Sequence, residues 1–123
     1  MKIAVSAAGQ SLDEQVDPRF GRCQNFLIVD SDTMDFEVAA NTAATQGGGA
    51  GIAAAQTIVD KGAEVVLTGN CGPNAFNVLE KAGISVFTGV TGTIKEAVES
   101  YKSGKLQASA QANVDAHSGS GSG

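Results

Sequence analysis

Residues 26–40 read Phe26-Leu27-Ile28-Val29-Asp30-Ser31-Asp32-Thr33-Met34-Asp35-Phe36-Glu37-Val38-Ala39-Ala40. Four consecutive apolar residues, Phe26 to Val29, are expected of a strand buried on both faces. Ser31-Asp32-Thr33 supplies turn residues. Phe36, Val38 and Ala40 then alternate with Asp35, Glu37 and Ala39, the pattern of a half-exposed strand that returns antiparallel. Upstream, Met1 to Ala7 places Ile3, Val5 and Ala7 on one face and reads as a first strand, joined to the second by a polar loop from Ala8 to Asn25. The chain therefore opens with three meandering strands.

Downstream the period changes. A polar stretch from Asn41 ends in Gly47-Gly48-Gly49-Ala50-Gly51, after which Ile52, Ala55, Ile58 and Val59 keep helical spacing up to a stop at Gly62. Glu64 to Thr68 is another apolar strand. Gly69-Asn70-Cys71-Gly72 leads to Pro73, which suits the first position of a helix. That helix carries Ala75, Phe76, Leu79 and Ala82 on its apolar stripe and closes at Gly83. Ile84 to Phe87 is the last strand. Thr93 and Glu96 form a capping box, and Ile94, Ala97, Val98 and Tyr101 follow at i, i+3, i+4 and i+7, up to Gly104. The order βββαβαβα predicts an α/β protein with a mixed five-stranded sheet and helices packed on it. This suits a ribonuclease-H-like three-layer fold better than a doubly wound nucleotide fold.

The length of 123 residues is that of a single domain. Residues 1–106 carry the periodic elements, while residues 107–123, which include His117, read as a flexible polar tail ending in a linker-like Ser/Gly run. The net charge of −5, with no run of Lys or Arg, offers no footprint for nucleic acid. No apolar run approaches the ~20 residues of a membrane span, and two cysteines are too few for a disulfide scaffold. A cytoplasmic setting is the expectation.

Chemistry is expected where the loop after the first strand, the Gly-rich loop and Gly69–Gly72 gather at the carboxyl ends of the strands. Two of these loops open helices, whose free N–H groups favour an anion. Gly48, Gly49 and Gly51 can bring main-chain amides close to a ligand. Gly49-Ala50-Gly51-Ile52-Ala53-Ala54 fits GxGxxA, but it follows the third strand rather than the first, and no acidic residue sits about 20 positions on. Arg19 and Arg22, flanking Phe20-Gly21 in an acidic chain, are candidates to hold negative charge. Cys71, just ahead of a helix start, is a candidate soft ligand with a lowered thiol pKa; Cys23 is a second candidate metal ligand. The pair lacks CxxC spacing. With one histidine and no clustered carboxylates, a catalytic triad or nuclease metal site cannot be assembled, and an enzyme is not expected.

Three segments in register carry a resemblance. Asp17-Pro18-Arg19-Phe20-Gly21-Arg22-Cys23 with Phe26-Leu27-Ile28-Val29-Asp30, Gly48-Gly49-Ala50-Gly51-Ile52 with Ala54-Ala55-Gln56, and Thr68-Gly69-Asn70-Cys71-Gly72-Pro73-Asn74-Ala75-Phe76 resemble the dinitrogenase iron–molybdenum cofactor-binding family. This family includes NifX, the C-terminal part of NifB and small relatives. The resemblance runs from Met1 to about Leu106. It implies the ribonuclease-H-like fold and a role as a binding or carrier protein for an iron–molybdenum–sulfur or other molybdenum–sulfur cluster. It further implies cofactor-assembly or other partner proteins; a monomer or weak dimer that binds neither nucleic acid nor membrane is the expectation from the charge, the hydropathy and the edge-like Asp35–Ala40 strand. The residue reading and the resemblance together give the expected cofactor-binding set as Arg19, Phe20, Gly21, Arg22, Gly48, Gly49, Gly51, Asn70, Cys71, Gly72 and Asn74. Its small orange-protein branch carries a molybdenum–copper–sulfide cluster without cysteine ligands. Arg19 stands where many NifX-type members have His; a guanidinium cannot ligate metal as His does but can hold sulfide or oxide charge by hydrogen bonds. The alternative is a protein-interaction scaffold of the same fold with no retained metal site; a small enzyme binding a phosphate-bearing ligand at the Gly-rich loop ranks behind both.

Overall fold

The computed structural model describes residues 1–42 and 49–108. The expectations placed on Gly48, His117 and most of the C-terminal tail lie outside these residues. The elements are β1 (Lys2–Ala7), β2 (Asn25–Asp30), β3 (Phe36–Ala40), α1 (Ala50–Asp60), β4 (Val65–Leu67), α2 (Pro73–Lys81), β5 (Ser85–Phe87) and α3 (Ile94–Lys102). They form one five-stranded mixed sheet in the order β3-β2-β1-β4-β5. β1 pairs antiparallel with β2 and parallel with β4; β2 pairs antiparallel with β3, and β4 parallel with β5. This is the ribonuclease-H-like α/β architecture that the element order predicts.

Three layers follow from which residues each sheet face buries. On one face Ala4, Phe26, Ile28, Ala39, Val66 and Val86 pack under Ala54, Ala55 and Ile58 of α1 and Ala75, Phe76 and Leu79 of α2. On the other, Ile3, Val5, Ala7, Leu27, Val29 and Leu67 pack under Ile94, Ala97 and Val98 of α3. β1 lies at the centre of the sheet, so both of its faces are covered, including the one opposite Ile3, Val5 and Ala7.

The alternation in β3 falls the other way from a simple apolar-inward rule. Ala39 is the buried residue, whereas Phe36 and Val38 are 39 % and 37 % exposed. Phe36 and Val38 pair with Val29 and Leu27 and so share the α3 face of the sheet. That face has a single helix, which lies over β1, and the edge strand is beyond its cover.

The long loop between β1 and β2 is laid across the carboxyl ends of the strands. Val16 bridges Ala7, Gln15 bridges Thr93, and Arg19 bridges Asn70. Asp17 N–H donates to the Ser6 carbonyl at 2.8 Å, and Asn70 N–H to the Pro18 carbonyl at 2.7 Å. Beneath it the buried Ser6 Oγ donates to the Asp17 carbonyl at 2.6 Å and lies 2.8 Å from Thr68 Oγ1. These hydrogen bonds satisfy polar groups that would otherwise be costly in the core.

Candidate functional site

The loop crossing brings three segments around one groove of about 310 Å³, lined by Phe20, Gly21 and Arg22, by Gly49, Gly51 and Ile52, and by Gly72, Pro73, Asn74 and Ala75. Two of its walls are helix N-termini. α1 begins at Gly49, whose φ of 91° is readily available only to glycine, and α2 begins at Gly72 with Pro73 at its first position. Neither helix has a side-chain cap or an acidic residue in its first turn. Their first intrahelical bonds are made by Ala53 N–H to Gly49 and Phe76 N–H to Gly72, so the N–H groups of Ala50, Gly51, Ile52, Asn74 and Ala75 have no intrahelical partner. α3, away from the groove, is closed by its capping box: Glu96 N–H donates to Thr93 Oγ1 at 3.1 Å, and Thr93 N–H to the Glu96 carboxylate at 2.9 Å.

Close backbone approach holds the three walls together. A Cβ at Gly21 would lie 3.1 Å from Gly51 Cα, and one at Gly69 would lie 2.6 Å from Pro18 Cα. A Cβ at Gly51 would stand 3.5 Å from that of Ala75, so the first turns of α1 and α2 are in contact range. Among the described residues that line the groove the only charged side chain is that of Arg22, although the chain as a whole has 13 acidic and 8 basic residues. The groove thus combines main-chain donors, two positive helix ends and one guanidinium with the apolar surfaces of Phe20, Ile52, Pro73 and Ala75.

Most of the residues anticipated from sequence come together here: Phe20, Gly21, Arg22, Gly49, Gly51, Gly72 and Asn74 all line the groove. Arg19 does not. Its Nε lies 3.3 Å from Oδ1 of Asp17, a carboxylate that is 5 % exposed, and its main-chain N–H donates to the same oxygen at 2.8 Å. That hydrogen bond and the carboxylate's charge raise the Arg19 pKa and anchor the turn. Asn70 is exposed and joins the sheet end through its main chain.

Cys71 and Cys23, neither in a disulfide, are 1 % and 0 % exposed within the core under α1 and α2, and neither lines the groove. The lowered thiol pKa expected at Cys71 is not found: burial pushes both thiols up to about 12. Desolvation of a thiolate here outweighs the nearby helix end. Among the described residues no group of three or more His, Cys, Asp or Glu could hold a metal ion. Ile52, Pro73 and Ala75 were missed in the sequence. Each sits in the first turn of a helix opened by a Gly-rich loop, which is the signal that could have found them.

With this geometry in place, the likenesses to known proteins are informative. The orange protein of Desulfovibrio gigas, solved in its apo form, superposes with a TM-score of 0.89 at 44 % identity, covering 91 % of this chain and 95 % of that one. A putative NifB protein from Thermotoga superposes with a TM-score of 0.75 at 34 % identity, covering 87 % and 91 %. An uncharacterized protein of Methanocaldococcus jannaschii is 33 % identical over 110 residues, 87 % of this chain and 90 % of that one. The sequence profile of the family described as dinitrogenase iron-molybdenum cofactor matches residues 1–104, and the chain belongs to that family.

Proposed function

We propose that this protein binds and carries a preassembled anionic metal–sulfur cluster of the molybdenum–sulfide or iron–molybdenum–sulfide kind. Its role is assembly, storage or transfer of the cluster, with no catalysis of its own. The observation that carries this reading is the convergence of two uncapped helix N-termini on a groove in which Arg22 is the only charged lining residue among those described. Such a site stabilises negative charge through fixed dipoles and amides. Its apolar patches suit the soft, weakly hydrated surface of bridging sulfides. Family membership supports the iron–molybdenum cofactor or a precursor as cargo, and the orange-protein likeness favours a molybdenum–copper–sulfide form.

In this reading Arg22 and the amides of residues 50–52 and 74–75 contact the cluster, and Arg19 holds the loop that presents Arg22. Neither thiol is required, in keeping with their burial. Partners are the proteins that deliver and receive the cluster, in the cytoplasm.

The test is to mix anaerobic apoprotein with tetrathiomolybdate, with and without copper, desalt it, and measure retained metal and the visible spectrum. About one cluster per chain with new charge-transfer bands is expected. Arg22→Ala should weaken retention roughly 10-fold to 100-fold, the range of a hydrogen bond to a charged group. Wild-type protein that retains neither tetrathiomolybdate nor a preformed iron–molybdenum cofactor would overturn the proposal. One observation favours a second reading, a scaffold for protein partners: Phe36 and Val38 stand exposed together on an edge strand. A stable complex with a partner in the absence of any metal uptake would select it.

A further inference from the structure

The loop wall of the groove is held from behind by a side chain outside it. Asn41 stands one residue past β3, is 6 % exposed, and reaches back to the turn that carries Phe20, Gly21 and Arg22. Its main-chain N–H donates to the Gln24 carbonyl at 2.9 Å. Its Nδ2 donates to the carbonyls of Cys23 at 2.8 Å and Gly21 at 3.2 Å. These two acceptors fix which end of the carboxamide is nitrogen, since the flipped group would set its oxygen against two others.

On the far side of Gly21, backbone meets backbone. A Cβ there would lie 3.1 Å from Gly51 Cα and 3.3 Å from Gly51 N. Gly21 is therefore gripped between Asn41 and the first turn of α1, and both Gly21 and Gly51 line the groove. Asn41 Oδ1 is buried with no hydrogen-bond partner among the described residues. An unmet buried acceptor offsets what the two donated bonds contribute to stability. What the side chain supplies is therefore chiefly the placement of the Gly21 and Cys23 carbonyls.

We infer that Asn41 is a positioning residue for the groove: by holding the Gly21 carbonyl back, it sets the spacing between the loop wall and the N-terminus of α1. It thereby selects the size of cluster that seats there, an inference that rests on the proposed function.

Asn41→Asp keeps the shape, removes both donors and turns oxygen toward two carbonyls. The expected result is at least a tenfold loss in tetrathiomolybdate affinity, an altered charge-transfer band, and a changed preference between tetrathiomolybdate alone and its copper adduct. Because Gly21→Ala acts on the same contact, its effect should be less than additive with that of Asn41→Asp. Unchanged affinity and spectrum, or fully additive losses, would overturn the inference. Asn41→Ala, which brings no charge, is read in the same way should Asn41→Asp not fold. The placement itself is read without any cluster from the amide resonances of Ala50, Gly51 and Ile52 in apoprotein. They should move in either Asn41 variant, and changes confined to residues 20–24 and 40–42 would refute it. If wild-type protein binds no cluster, the carrier reading falls, and these resonances alone decide the role of Asn41.

Discussion

Cys71 lies one residue ahead of the N-cap of α2, where the positive helix end favours a thiolate. Position alone suggests a reactive, ligating cysteine. Its surroundings decide otherwise, since it is 1 % exposed, and burial takes the thiol from its ordinary value of 9.0 to about 12. Cys23, fully buried, is raised equally, with desolvation the leading cause. A consequence for stability follows. Between pH 9 and 12 the unfolded thiols have lost protons that the folded ones keep. The unfolded state then binds fewer protons, so stability is fully present below pH 9 and falls as pH rises through that window. Urea midpoints measured from pH 8 to 11 should decline more steeply in wild type than in a Cys23→Ala/Cys71→Ala variant; equal slopes would show that the thiols are not responsible. The same variant should retain tetrathiomolybdate, and a thiol reagent should label the native protein only as fast as it unfolds. Arg19 and Arg22 teach a related lesson. They look equivalent in sequence, but a buried carboxylate two residues before Arg19 engages its guanidinium, while Arg22 lines the groove.

At the scale of elements, the joints between strands and helices separate fold from site. Gly69 and Gly51 are both small residues in loops that read as ligand-binding, yet they do different work. A Cβ at Gly69 would press to 2.6 Å on the main chain of Pro18, where the β1–β2 loop crosses the sheet end. Gly69→Ala should therefore destabilise the protein by about 1–3 kcal/mol, the cost of overpacking against backbone that cannot yield. A Cβ at Gly51 would meet only ordinary contact with Ala75 at 3.5 Å. Gly51→Ala should leave stability unchanged or raise it by up to ~1 kcal/mol through helix propensity, while narrowing the groove and weakening cluster retention. Thermal melts with paired binding measurements check this; parallel losses of stability and binding in Gly51→Ala would count against it. Element identity was legible in the sequence because each element is locally consistent. α3, for instance, has a capping box and an unbroken apolar stripe. Boundaries were less so: α1 starts at Ala50 rather than near Ile52, because Gly49 adopts the left-handed conformation that closes the turn before it. The inward face of β3 was not legible either, since alternation names two faces without saying which one a neighbouring layer covers.

For the whole molecule, the sheet order places β1 and β4 side by side and parallel, with the loops that follow them meeting at one end. The family match covers residues 1–104, and Leu106 packs against the α3-side core; the expected domain boundary near residue 106 is open to a direct test by truncation. A chain ending at residue 108 should keep both the melting temperature and the tetrathiomolybdate binding of the full chain. A fall of more than about 4 °C, the shift expected for roughly 1 kcal/mol in a domain of this size, would place part of the domain beyond that point. The fold class, the element order and the three segments that line the groove followed from the sequence alone. Hydrophobic period, turn chemistry and helix caps are short-range properties, written within a few residues of where they act. Only the tertiary structure decided that Arg22 lines the groove while Arg19 is tied to Asp17, that both thiols are buried in the core, and that Asn41 grips Gly21 against Gly51. Each of these depends on burial or on contacts between residues distant in the chain, or on which way a side chain points, none of which local pattern encodes.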